Sequence, residues 1–149
     1  MTATAMQRLP DWQMNSVALG NFVLPAMQEL PKRIPKLAAA MLCTPDGFNI
    51  CSLGVDERQV GKLAALSGSL LSVGSATMTE LRASQSNVPP ELLTIQSGTF
   101  QIVSLRVRQA SGYLTLTIAA DETPLGVMLV GGRYVAGVIE ALFAAPPPP

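Results

Sequence analysis

From Asp56 to Ala83 the sequence holds a single helical pattern, long for a domain of this size, and its two contrasting stripes constrain everything around it. Asp56 is placed to cap the helix, with Gln59 three residues later completing a capping box. One stripe is large and apolar: Val60, Leu63, Leu70, Met78 and Leu81, with Ser67 and Gly74 between them. The other is small throughout: Gly61, Ala65, Gly68, Ser72, Ser75 and Thr79, at steps that hold one helical face. Interior glycines cost roughly 1 kcal/mol each relative to alanine, so close approach of another backbone is expected to offset them. Two arrangements supply that approach. Either the small stripe meets a second helix while the large stripe faces the domain's own sheet, or the small stripe lets the helix lie flat on that sheet. The first uses both stripes, and it predicts that Gly68→Leu pushes two helices apart and disrupts self-association.

The flanking segments read as strands. Leu37 to Thr44 is an apolar run that meets Pro45-Asp46-Gly47 and reverses into Phe48 to Leu53, because proline presets the turn and glycine accepts positive φ. With Gly47 in a left-handed bulge position, Thr44 faces Phe48, Cys43 faces Asn49 and Met41 faces Cys51. The two sulfurs then share a face as diagonal neighbours, whereas a two-residue turn sends them to opposite faces. Either way they read as small buried thiols. After the Asn87-Val88-Pro89-Pro90 break come three strands, Glu91 to Ser97, Phe100 to Arg108 and Tyr113 to Ala120, joined by short reversals as an antiparallel meander. A final helix, Leu125 to Phe143, is apolar nearly all round and is expected to be largely buried.

Upstream, apolar residues from Val17 to Leu30 recur at a loosely helical spacing. That helix either begins near Asn21 or runs longer through Pro25. Residues 1–14 read as a weakly structured leader, 15–143 as one domain, and 144–149 as a proline tail.

Composition narrows the chemistry. Ten Lys and Arg balance ten Asp and Glu, charged residues make up 13%, and there is no histidine. A neutral chain has no electrostatic reason to seek nucleic acid or an anionic membrane. Histidine-based catalytic triads and histidine-ligated metals are excluded. The charge-free run Leu63 to Thr79 is too short and too rich in serine for membrane insertion, and no targeting signal is evident, which makes the cytoplasm the default location. Gly61-Lys62-Leu63 is not a phosphate loop, since Asp56 stands at the first glycine position and Leu63 replaces the hydroxyl residue. Gly126, Gly131, Gly132 and Gly137 lie within a helix, not in a dinucleotide fingerprint. Asp121-Glu122 is a loop beside a helix start with no further carboxylates nearby in sequence. No catalytic, metal or cofactor site is expected.

The order helix, hairpin, long helix, three-strand meander, helix resembles the roadblock/LC7 (dynein light chain, MglB-like) family. The resemblance rests on Met41 to Ile50 with its Asp46-Gly47 turn, Ser52-Leu53-Gly54, the Asp56 helix, Leu92 to Gly98, Gly112 to Ala120 and the last helix, covering roughly Phe22 to Leu142. It implies an α+β fold, α-β-β-α-β-β-β-α, with a five-stranded antiparallel sheet of order 2-1-5-4-3 between helices. It also implies a homodimer formed by third-strand pairing and antiparallel packing of the second helices. Leu93 and Ile95 join Gly61, Ala65, Gly68, Ser72, Ser75 and Thr79 as interface residues on that basis. Family members are in general non-enzymatic platforms for Ras-like small GTPases or adaptors in larger complexes. Arg58 and Arg82 lie on that second helix and read either as solvated helix charges or as partner-binding residues, one of them an arginine finger toward such a GTPase. A PAS- or profilin-like sensor is the alternative reading, and it requires an enclosed ligand pocket with polar or aromatic anchors.

Overall fold

A computed structural model of the chain describes residues 16–82, 90–110 and 112–144. The leader, the tail beyond Ala144, the helix end at Ala83 and the Asn87-Val88-Pro89 break lie outside those residues. The elements are α1 (Ser16–Met27), α2 (Leu30–Arg33), β1 (Leu37–Cys43), β2 (Asn49–Leu53), α3 (Val60–Arg82), β3 (Leu92–Ser97), β4 (Phe100–Gln109), β5 (Gly112–Asp121) and α4 (Leu125–Ala144). The strands form one antiparallel sheet in the expected order β2-β1-β5-β4-β3, which leaves β2 and β3 at the edges.

The two faces of the sheet are unequal. On one, α1, α2 and α4 cover a continuous core that includes Val23, Met27, Leu30 and Ile34, the sheet residues Leu42, Val103, Leu105, Leu116 and Ile118, and Met128, Val135 and Ile139. On the other, a small cluster of Met41, Cys43 and Ala64 lies beneath α3. Of its 23 residues, α3 buries only Ala64, Ser67, Gly68 and Leu71. Helix α1 takes the longer of its two possible courses, with Pro25 inside it near the end, where one missing donor disturbs little of the ladder. Helix α4 is long and apolar enough to cross a membrane by length and composition. Its inner face nevertheless packs on the sheet, with Gly131 against Ile34 and Gly132 against Leu105 and Ile118. It is less buried than the sequence suggests, since Val130 is 71% and Tyr134 45% exposed.

The hairpin forms as a turn with a left-handed Gly47 (φ 95°). The Thr44 N–H donates to the Phe48 carbonyl at 2.9 Å, and the Gly47 N–H donates to the Thr44 carbonyl at 3.0 Å. Cys43 pairs with Asn49 as expected, but the register then shifts, setting Leu42, not Met41, opposite Cys51. The extra residue on β2 is a bulge, and it separates the two sulfurs. Cys43 points toward α3 and Cys51 into the core on the other side, so the shared-face geometry does not occur.

Both thiols are free and buried. Burial pushes the Cys43 thiol from an ordinary 9.0 up to about 12. The folded chain therefore keeps a proton that the unfolded chain loses between those values, and the Cys43 contribution to stability declines as pH rises from about 9 toward 12. Denaturant midpoints at pH 8 and pH 10.5 should diverge more for the unmodified chain than for Cys43→Ala.

The capping box at the start of α3 is replaced by a different device. The Asp56 carboxylate accepts the Arg58 N–H at 2.9 Å, and its carbonyl accepts the Gln59 N–H at 2.8 Å. Asp56 thus closes a turn on its own backbone, an alternative open to short acidic side chains, and the helix begins four residues later at Val60. At the far end of the sheet, the Asp121 carboxylate accepts the Thr99 hydroxyl at 2.6 Å and the Glu122 N–H at 2.9 Å. The Gln101 amide donates to the Thr123 carbonyl at 2.7 Å. These bonds occupy the Asp121-Glu122 loop in tying α4 to the β3–β4 reversal.

Candidate interaction surface

Neither stripe of α3 meets the sheet as a unit. The inward residues are Ala64, Ser67, Gly68 and Leu71, and of the small stripe only Gly68 is buried, beneath the hairpin. A Cβ built on Gly68 would stand 2.8 Å from the Thr44 carbonyl oxygen and 2.9 Å from Gly47 Cα and N. A Cβ on Gly47 would stand 2.9 Å from Ala65 Cα. The backbone whose approach Gly68 permits is therefore the chain's own turn, and the reading of Gly68 as a contact between two helices is corrected: its Cα side is already filled. The lightness of Ala64, Ala65 and Gly68 lets the turn rest on the helix.

Apart from Leu71, which is fully buried, and Val60, which packs on the Met41, Cys43 and Ala64 cluster, the large side chains reach solvent. Leu63 is 36% exposed, Leu66 55%, Val73 62%, Met78 42% and Leu81 80%. Leu63, Leu66, Leu70 and Val73 follow steps of three, four and three, the rhythm of a seam one helix presents to another. Leu66 and Val73 escape the sequence reading, although their spacing from Leu63 and Leu70 carries the signal. Thr77 continues the rhythm. Its hydroxyl donates to the Val73 carbonyl at 2.9 Å, so its polar atom is spent inside the helix. Thr79 does the same to Ser75 at 3.0 Å. Of the remaining small residues, Gly61, Ala65, Ser72 and Thr79 are exposed and Ser75 is half-buried.

The register carries this surface across to β3. Met41, beneath α3, pairs with Thr117, which pairs with Ser104, which pairs with Leu93. Directly paired residues share a face, so Leu93 and, two residues on, Ile95 project on the α3 side. Ile95 is 42% exposed, and among the described residues β3 has no strand on its outer side.

Arg58 and Arg82 stand far apart. Arg58 lies in the turn before α3, where its guanidinium is 3.3 Å from the Asp56 carboxylate, and Arg82 is the last residue of the helix. Both the Arg58 backbone N–H and, secondarily, its guanidinium hold the Asp56 carboxyl below its ordinary value. On the opposite sheet face a cleft of about 280 Å³ lies between α4 and the β4 edge. No aromatic residue among those described lines it, and Glu140 on its wall is bonded by the Arg108 N–H at 2.8 Å. An enclosed sensor pocket would need a different lining.

Similar solved structures include the roadblock/LC7 domain from Streptomyces avermitilis, at 17% identity over 78% of this chain and 92% of that one, with a TM-score of 0.67. MglB in a tetrameric arrangement is similar at 16% identity, 85% and 91% coverage and a TM-score of 0.70. The gliding protein MglB from Thermus thermophilus is similar at 14% identity, 85% and 92% coverage and a TM-score of 0.69. The chain has the roadblock/LC7 fold. Neither a family model nor a curated protein matches the sequence. Within this roadblock/LC7 fold the exposed apolar seam of α3 and the β3 residues Leu93 and Ile95 lie on the same face of the sheet, opposite α1 and α4.

Proposed function

We propose that this chain is a non-enzymatic homodimeric platform that binds a cytoplasmic Ras-like small GTPase and modulates its nucleotide cycle or its localisation. The observation that supports the dimer is the outward row Leu63, Leu66, Leu70 and Val73 on a helix that buries so little of itself. Apolar side chains at that spacing, left in water on one helix, gain most by meeting the same row on a second copy. The pairing implied by the roadblock/LC7 resemblance is antiparallel, and it joins the free β3 edges, with Leu93 and Ile95 beside the seam. Gly61, Ala65, Ser72, Ser75 and Thr79 then flank the contact instead of forming its centre.

Antiparallel packing also sets Arg58 of one copy near Arg82 of the second copy, so each end of the paired helices carries a cation from both chains. A GTPase resting on the two helices would have its switch loops oriented by these ends. The test is to mix the purified chain with Ras-like GTPases loaded with GDP or a GTP analogue, following complex formation by gel filtration and hydrolysis by phosphate release. A complex selective for one nucleotide state, weakened by Arg58→Ala or Arg82→Ala, is expected. No complex and unchanged hydrolysis with every GTPase tried contradicts the partner assignment and leaves the dimer standing.

A further inference from the structure

The cleft between α4 and the β4 edge gathers charged side chains from separate parts of the chain. Arg133, Gly137 and Glu140 stand on its helical wall, at steps of four and three that hold one face of α4. Arg106 and Arg108 of β4 stand across from them, and the Arg106 N–H fixes Glu91 beside them by donating to its carbonyl at 3.0 Å. Three guanidiniums therefore share the cleft with two carboxylates. Two of the cations are matched: Arg108 lies 3.3 Å from the Glu140 carboxylate, and Arg106 lies 3.8 Å from that of Glu91. Arg133 makes no ion pair among the described residues, so the surplus is one positive charge. The floor is apolar, because Leu105 and Ala136 are buried at its base. A Cβ built on Gly137 would meet nothing within 4 Å, so the side chain missing there leaves open cleft. Glycine weakens a helix relative to alanine, and at Gly137 no close backbone offsets that loss.

We propose that this cleft binds a small monocarboxylate with an apolar body, the carboxylate on Arg133 and the body over Leu105 and Ala136 in the gap at Gly137. A single negative charge matches the single surplus cation, and the planar guanidinium pairs with a carboxylate through two parallel N–H bonds. A phosphate group brings up to about two negative charges, more than the cleft leaves unmatched. Arg108 and Glu140 hold each other at the far end, since the Glu140 carboxylate accepts both the Arg108 N–H at 2.8 Å and its Nε–H at 3.3 Å. The ligand therefore enters without breaking that pair. The volume of about 280 Å³ equals about nine waters at ~30 Å³ each, room for a short acyl chain or a single ring. Apolar area then supplies most of the affinity, and the charged groups fix the orientation.

The site stands whether or not α3 pairs or a GTPase binds, because it lies on the other face of the sheet. The test is a nuclear magnetic resonance titration of the ¹⁵N-labelled chain with sodium hexanoate, sodium acetate, methyl hexanoate and sodium phosphate at constant ionic strength. Hexanoate should give saturable shifts centred on the Gly137 amide and the Arg133 Nε–H. Each buried CH₂ is worth about fourfold, so hexanoate should bind at least about tenfold more tightly than acetate. The uncharged ester and phosphate should both bind more weakly than hexanoate. Arg133→Gln should raise the hexanoate dissociation constant at least about tenfold, and so should Gly137→Leu, which fills the gap at a position open to a side chain. Lys62→Gln, on exposed α3, should leave it unchanged. Unsaturable shifts, equal binding of acetate and hexanoate, phosphate or ester binding as tightly as hexanoate, or hexanoate binding indifferent to Arg133→Gln overturns the proposal. Failure of the GTPase assignment shows separately, in the mixing experiment above.

Discussion

Gly68→Leu should destabilise the single protomer, because the new side chain enters space held by the Thr44 and Gly47 backbone. A flexible side-chain tip yields cheaply, but a hydrogen-bonded turn does not. The leucine must either force the hairpin off α3 or push α3 off the sheet. Overpacking of this kind costs about 3 kcal/mol, which for a chain of this length lowers the melting temperature by about 10 °C. Gly68→Ala, with one added carbon, should show a smaller loss of the same sign. Gly61→Ala is the matched control. Its Cβ meets nothing within 4 Å, so the helical preference for alanine should stabilise the chain by up to about 1 kcal/mol. Opposite shifts at the two glycines, read by thermal melts, would establish that Gly68 is small for the sake of its own turn. Equal shifts would return it to the intermolecular role that its sequence spacing suggests.

The second large effect belongs to the outer seam. Val73→Arg and Leu66→Arg place a cation where the protomer is more than half exposed, so the protomer should fold with an unchanged melting profile when dilute. In a dimer each substitution appears twice within an apolar contact and must be desolvated without a partner. Association should weaken at least about a hundredfold, equivalent to about 3 kcal/mol. Ser72→Arg, on the flank, should cost far less. A uniform response at all three positions would mean that the seam is not the contact.

Both predictions turn on which way α3 faces, and here the sequence carried one kind of information well and another badly. Element order, strand order and the turn at Pro45-Asp46-Gly47 follow from local chemistry: proline and glycine at fixed positions, runs of apolar residues, and a helical period unbroken from Val60. The orientation of an amphipathic helix is not local. Large residues turn inward when the opposing layer offers depth, but β1 and its turn offer α3 a backbone at contact distance. Ala64, Ser67 and Gly68 fit beneath it, Leu71 is buried further along, and Leu63, Leu66 and Leu81 are left exposed. The bulge that moved Cys51 opposite Leu42 was hidden for the same reason, since nothing in Asn49-Ile50-Cys51 marks which residue is extra. The Asp56 turn shows a third limit. Spacing alone cannot separate a capping box from an aspartate bonding two residues ahead.

The central claim is that an apolar seam too large for one protomer is covered by a second copy. Sedimentation equilibrium of the unmodified chain, across micromolar concentrations, tests it most directly. A mass of at least twice the 15.7 kDa of one chain is expected, falling to 15.7 kDa with Val73→Arg. A mass of 15.7 kDa at every concentration, with the seam left in water, would contradict it.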